Sequence, residues 1–196
     1  MAFGGYGELM QPLLDVHGLS ISFQLEKGMV NPVTGVSFSV FPGQTLALVG
    51  ESGCGKSISA MSVLRLLPTP PTRYPGGQIL FEGEDLLKAD EKRMQQIRGG
   101  KIAMIFQEPM TSLNPVYTVG DQIIEAILLH QKVNPRQARE IAIQAMADVG
   151  IADPASRLDV YPHQMSGGMR QRVMIAMASR AGRSCSLPMS RRRRWT

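Results

Sequence analysis

Apolar and polar residues alternate over residues 13–23 and again, more cleanly, over residues 35–41, where Pro42-Gly43 closes the run. Both stretches predict strands. The short apolar run Thr45-Leu-Ala-Leu-Val predicts a buried strand, and the spacing over residues 58–67 predicts a helix soon after it. Residues 68–77 hold four prolines and two glycines and predict a loop. Residues 78–81 read as a strand, 82–85 as a turn, and 90–98 as a polar helix with Asp90 as N-cap. A second buried strand is expected over residues 101–106, stopped by Gln107-Glu108-Pro109. The period then becomes helical. Residues 119–131 carry Val119, Ile123, Ile124, Ile127 and Leu128 on one face. Residues 134–149 follow, with Asn134 as N-cap, Pro135 at the first helical position and Gly150 as the stop. A third helix starts at a glycine pair and runs over residues 166–177. Most of the 13 methionines fall on these helical faces and read as core filling.

The chemistry lies between the strand over residues 45–49 and the helix after it. Gly50-Glu51-Ser52-Gly53-Cys54-Gly55-Lys56-Ser57 fits the P-loop pattern, and strand, glycine-rich turn and helix is the context that pattern requires. The glycines let backbone N–H groups surround phosphate oxygens. Lys56 reaches the β- and γ-phosphates, and Ser57 offers a hydroxyl to Mg²⁺. The helix that follows points its positive end at the same anion. The competing reading, a glycine-rich turn with a chance Gly-Lys-Ser, does not account for the flanking elements.

With 43% hydrophobic residues among 196, the chain has the composition of a globular core. No apolar run approaches the ~20 residues of a membrane span. The N-terminus lacks a basic-then-apolar secretory layout, so a soluble intracellular protein is expected. The two cysteines, Cys54 and Cys185, make no disulfide or zinc framework. Cys54 reads as a small packing residue, with a reactive thiol as the alternative. His17, His130 and His163 have no metal-ligand spacing. The net charge of +5 comes from the end of the chain. Arg180, Arg183 and Arg191 to Arg194 supply six charges with no acid among them, and the remainder holds 15 basic residues against 16 acids. A pI near 9.5 therefore does not indicate a nucleic-acid-binding body.

Two further motifs narrow the P-loop reading. Tyr161-Pro-His-Gln-Met-Ser166-Gly167-Gly168-Met169-Arg-Gln-Arg-Val resembles the signature motif of ATP-binding-cassette (ABC) ATPases. Phe106-Gln107-Glu108-Pro109 resembles their Q-loop. The resemblance runs from about residue 13 to residue 178, with the three motifs in the family's order. Met110-Thr-Ser-Leu-Asn-Pro and the stretch Asp153 to Gln164 resemble the dipeptide/oligopeptide importer branch. The physics of Ser166, Gly167 and Gly168 agrees: opening a helix, they form an anion site without a lysine.

The resemblance implies an α/β P-loop NTPase of the ABC type, with a partial RecA-like core, an antiparallel β subdomain and a helical subdomain. Residues 1–108 would form the first part of the core, 109–165 the helical subdomain and 166–178 the signature helix, while residues 179–196, beyond the resemblance, read as an out-of-frame, disordered basic tail. ATP would lie between the P-loop of one subunit and the signature of a second, in a homo- or heterodimer. Gln107 would touch Mg²⁺ and the attacking water. Phe23, ending the first strand, is the candidate to stack on adenine, a core phenylalanine being the alternative. His163 would introduce the signature helix, and Met169 would stand where the family usually has Gln. The implied partners are two transmembrane permease subunits and, indirectly, a periplasmic solute-binding protein that chooses the cargo. No nucleic acid is expected, and the place is the cytoplasmic face of the bacterial inner membrane.

The family's Walker B strand ending in Asp-Glu, its D-loop and its switch histidine have no counterpart after Ala178, where residues 179–196 read as neither strand nor helix. A shifted reading frame offers an explanation. Across residues 183–196 the shifted codons can spell an apolar strand followed by Asp-Glu. The junction of Met189 and Ser190 permits Glu, and that of Trp195 and Thr196 forces Asp. The expected consequences are an apolar P-loop strand left at an open edge, poor stability and little hydrolysis, for want of the carboxylates. Two rivals stand beside the importer subunit. One is an inactive relic that binds nucleotide weakly or not at all. The other is a DNA-repair ABC ATPase, which the lack of heptad runs disfavours. A basic tail with its own anionic partner is the alternative to the shifted frame.

Overall fold

The computed structural model describes residues 11–105, 113–179 and 185–188. The chain divides into two compact units, residues 1–94 and 95–196.

The first unit is built on an antiparallel sheet of order β2-β1-β3-β4, from β1 (Leu14–Leu25), β2 (Gly28–Val40), β3 (Thr72–Phe81) and β4 (Glu84–Asp85). α1 (Lys56–Val63) lies between β2 and β3 in sequence. Leu14, Val16, Leu19 and Ile21 of β1 are buried with Ile79 and Phe81 of β3. Each such side chain contributes about 1.5–3 kcal/mol on leaving water. Among the polar contacts of β1, Ser39 Oγ donates to Asp15 Oδ1 at 2.6 Å, which holds that carboxyl below its ordinary range.

Residues 84–85, read as part of a turn, form β4, and the first unit corrects three further expectations. β2 begins at Gly28, not at residue 35: ladder pairs Leu25↔Gly28 and Gln24↔Met29 extend it past the residues that burial marks. Met29 and Val30 are consequently exposed strand residues. β3 begins at Thr72, inside the stretch read as a loop. Pro75 and Gly77 there belong to two bulges. Between the pairs His17↔Gln78 and Ser20↔Gly76, β1 sets Gly18 and Leu19 against Gly77 alone. Between Ser20↔Gly76 and Ser22↔Arg73, β3 holds the extra residue, and Pro75 lies in that irregularity, where a missing N–H costs no ladder bond. The third correction is the stretch at residues 45–49, which is not a strand. Leu46, Leu48 and Val49 are 43%, 42% and 66% exposed. An apolar run becomes a buried strand only when neighbours supply both a ladder and a cover, and this run has neither among the described residues.

α2 (Glu91–Ile97) opens at Asp90, whose Oδ1 accepts from the Arg93 amide at 2.7 Å, as the capping reading requires. The second unit continues with β5 (Ile102–Ile105), α3 (Val119–His130), α4 (Pro135–Asp148), α5 (Pro154–Arg157), a 3₁₀ turn (Pro162–Gln164), α6 (Gly167–Ser179) and β6 (Cys185–Pro188). Val119, Ile123 and Ile127 of α3 repeat every fourth residue and meet Ala138, Ala142 and Met146 of α4, which do the same. The alanines let the two backbones approach closely. Both helices start with full capping boxes, Thr118 with Asp121 and Asn134 with Gln137. Met146, Met165 and Met174 are buried in this core, as the methionine reading expects. β6 corrects another expectation: Cys185–Pro188 is a strand, parallel to β5, with Met104 opposite Leu187. The backbone ladder of β5 pairs it without regard to the polarity of its side chains. No helix among the described residues is long and apolar enough to cross a membrane.

Candidate nucleotide site

Gly55 is the N-cap of α1, with φ 85° in the left-handed region. A Cβ there would also lie 2.6 Å from the Pro32 carbonyl oxygen and 3.0 Å from Val33 Cγ2. Conformation and packing therefore both demand glycine, and β2 backs the loop at Pro32–Val33. No capping side chain and no acid occupies the first turn of α1, in contrast to the boxes on α3 and α4. The first-turn N–H groups have no intrahelical partners, so the positive end of α1 is left for an external anion.

Lys56 curls back into the loop. Its Nζ donates to the carbonyl oxygens of Gly50 at 2.9 Å and Glu51 at 2.6 Å, and to Cys54 Sγ at 3.1 Å. The ammonium thus lies against the glycine-rich turn that the motif assigns to phosphates. Ser57 is exposed one residue into the helix, and Glu51, Ser52, Gly53 and Cys54 are exposed as well. This donor set fits a nucleotide triphosphate with its metal: an ammonium, an open helix terminus, and a hydroxyl of the hard-oxygen kind Mg²⁺ prefers.

Cys54 is exposed, which overturns its reading as a packing residue. Motif spacing already put Cys54 two residues from Lys56, but only the folded loop brings Sγ against Nζ. The hydrogen bond from Lys56 holds its thiol below the ordinary range. Burial pushes the Cys185 thiol up. Iodoacetamide at neutral pH is therefore expected to modify Cys54 several-fold faster than Cys185, because the thiolate is the nucleophile. Peptide mapping of a time course checks this; equal rates would contradict the lysine contact.

Phe23 is half-buried on β1, opposite Val30 of β2 and Thr72 of β3. Ile21, two residues earlier, pairs with Val33, the residue packed against the Gly55 position. Phe23 thus shares with the P-loop a common support in β2, a link that no sequence motif signals. In the second unit, Ser166 accepts the Met169 amide on its Oγ at 3.3 Å and so caps α6. Gly167 and Gly168 are exposed, and added Cβ atoms would meet nothing within 4 Å. α6 has no acid in its first turn. The signature residues therefore form a second helix terminus that is exposed and free of acids, capped by Ser166 and not open like that of α1. His163 lies in the 3₁₀ turn before it, with its ring stacked on Tyr161 at 5.6 Å between centroids. Met169 packs half-buried against the helical core. Gln107 and the tail arginines 191–194 lie outside the described residues.

The ABC transporter family matches residues 33–184. The dipeptide transport ATP-binding protein DppD of Bacillus subtilis is 50% identical over 169 residues, which are 86% of this chain and 50% of that protein. The oligopeptide transport ATP-binding protein OppD of the same organism is 49% identical over 166 residues, 85% of this chain and 46% of that one. The chain thus spans about half the length of the curated relatives it matches. The solved dimeric bacterial ABC transporter cassette MJ0796 shares the fold with a TM-score of 0.78 at 19% identity, over 89% of this chain and 72% of that one. With the P-loop, the signature helix and the fold in agreement, the chain belongs to the ABC transporter family.

Proposed function

We propose that this chain is the ATP-binding, energy-coupling subunit of a bacterial importer for di- or oligopeptides. The P-loop carries the reading: Lys56 held inside a glycine-rich turn, at the uncapped start of α1. The peptide class rests on relatives near 50% identity that are named for dipeptide and oligopeptide transport. In this reading the amides of residues 53–57 surround the phosphates and Lys56 donates to the β- and γ-oxygens. Phe23 stacks on the base. Ser57, with Gln107, would hold Mg²⁺, which would supply positive charge to offset that of the phosphates. Ser166, Gly167 and Gly168 cap the γ-phosphate bound by a second ATP-binding subunit, and residues 109–165 form the helical subdomain. Two permease subunits at the cytoplasmic face of the inner membrane complete the importer.

A second reading is favoured by one observation. β6 is the strand parallel to β5, and Cys185-Ser-Leu-Pro-Met-Ser offers no carboxylate along it or after it. No acid lies between Asp159 and Thr196. Without a carboxylate to order metal and water, the 196-residue chain is expected to bind ATP yet turn it over at no more than background rate. Calorimetric ATP titration and a phosphate-release assay on the same sample decide. Binding without turnover identifies a nucleotide-holding relic of an importer subunit. Turnover at family rates leaves only the first reading. Absence of binding removes the first reading and leaves a relic that has lost its nucleotide.

A further inference from the structure

We propose that Arg172 sets the direction of the signature helix α6, and so places Ser166, Gly167 and Gly168 for the phosphate held by a second copy of the chain. The inference rests on the reading of those three residues as a γ-phosphate cap. The chain reaches the signature through Leu158, Asp159 and Val160, which are pinned from two sides. The first amides of α3 hold the backbone: Gly120 donates to the Leu158 carbonyl oxygen at 2.7 Å and Val119 to that of Val160 at 2.9 Å. A Cβ on Gly120 would lie 2.8 Å from the Leu158 oxygen, so this approach needs glycine. From α4, Arg139 pairs with Asp159 at 3.0 Å, and Leu158 is fully buried. These contacts fix where the chain enters the signature, and not which way the helix then runs.

Apolar packing does not settle the direction either. Val173, Met174, Ala176 and Ala178 are the buried residues of α6. At about 100° per residue they spread over more than half of the helix circumference, and their burial is non-directional. The directional contact comes from Arg172. α4 ends in a Schellman turn, in which the Ile151 amide donates to the Met146 oxygen at 3.0 Å and that of Gly150, at φ 73°, to the Ala147 oxygen at 2.9 Å. Arg172 Nη1 donates to the carbonyl oxygens that this turn leaves over, Gly150 at 2.7 Å and Val149 at 3.2 Å. Its charge also stands at the negative end of α4. Met169, the residue after the two signature glycines, lines the same surface groove as Gly150, Ile151 and Arg172. Arg172 therefore ties the first turns of α6 to the end of α4. It acts on the phosphate only through the helix it directs, as a positioning residue.

The test compares the 196-residue chain with Arg172→Ala and Arg172→Lys. Arg172 is exposed and the buried residues of α6 are untouched, so both variants keep the fold. N–H residual dipolar couplings give the direction of α6 against α4. In Arg172→Ala the helix is expected to turn by about 10–20°, within the scatter that helix packing allows. Over the ~9 Å of axis between Val173 and Gly167, that turn moves the glycine amide by about 2–3 Å, enough to break a hydrogen bond to phosphate. Association of two copies driven by Mg-ATP, followed by sedimentation, should weaken about 10–100-fold. Calorimetric ATP affinity at the P-loop should stay that of the parent. Arg172→Lys keeps the charge at the end of α4 and should restore most of the helix direction and of the association. An unchanged helix direction in Arg172→Ala overturns the proposal and leaves the signature reading standing. A helix that turns without loss of association, or a lysine variant that behaves like the alanine one, overturns it too. If ATP does not associate the parent chain, the reading of Ser166, Gly167 and Gly168 as a cap between copies fails, and the role of Arg172 fails with it.

Discussion

Replacing Lys56 with alanine is expected to weaken ATP binding by about 100-fold, or about 3 kcal/mol. A hydrogen bond to a charged group contributes about 1.5–3 kcal/mol, and the proposed site gives Lys56 two, to the β- and γ-phosphates. The loss should fall on binding and not on folding. Its three contacts are with its own exposed loop, so the thermal midpoint should stay near that of the parent. Arginine at the same position keeps the charge but replaces a compact ammonium by a planar fork, and should recover only part of the affinity. Titration of all three proteins with ATP, beside a thermal melt, gives the measurement. Full ATP affinity in Lys56→Ala would place the nucleotide elsewhere, whatever the motif suggests.

Gly77→Ala is the change expected to damage the fold most, by about 3–5 kcal/mol. Gly77 has φ 95°, a conformation that strains any residue with a Cβ. The added atom would lie 2.6 Å from Gly18 O, Leu19 N and Leu19 Cα, all backbone. No side chain can swing aside to relieve that contact, so β1 and β3 must separate at their bulge. Leu19 is fully buried there, and its displacement would loosen the core of the first unit. Domains are typically stable by only about 5–15 kcal/mol, so the variant should melt far below the parent or fail to fold. Gly76→Ala, one residue away, provides the control: its Cβ meets nothing within 4 Å, and a small change is expected. Equal behaviour of the two variants in chemical denaturation would refute the bulge argument.

The helices were legible because their signals are local. Asn134 with Pro135 and Gln137, and the four-residue repeat of Val119, Ile123 and Ile127, need no distant partner to be read. The same holds for the P-loop octet and for Ser166-Gly167-Gly168, each of which lies at a helix start. The strands were legible only where one face is buried. Residues 28–34 were missed because they are held by pairing with β1, and a ladder of backbone hydrogen bonds leaves no mark on side-chain polarity. Thr72 to Gly77 was missed for a related reason. Proline and glycine signal a turn and a bulge with the same residues, and the register against β1 decides between them.

The sequence by itself determined the family, the P-loop octet, the helix caps and the apolar face of each long helix. These depend on residues close together along the chain. Tertiary structure alone decided that Pro32 and Val33 back Gly55, that Cys54 is exposed against Lys56, and that residues 45–49 remain outside any sheet despite an apolar pattern. It also paired Cys185–Pro188 with β5. A strand exists only through its neighbours, and a side-chain contact only through the path of the loop. Both depend on atoms brought together from different parts of the fold, and no local pattern of residues specifies that meeting.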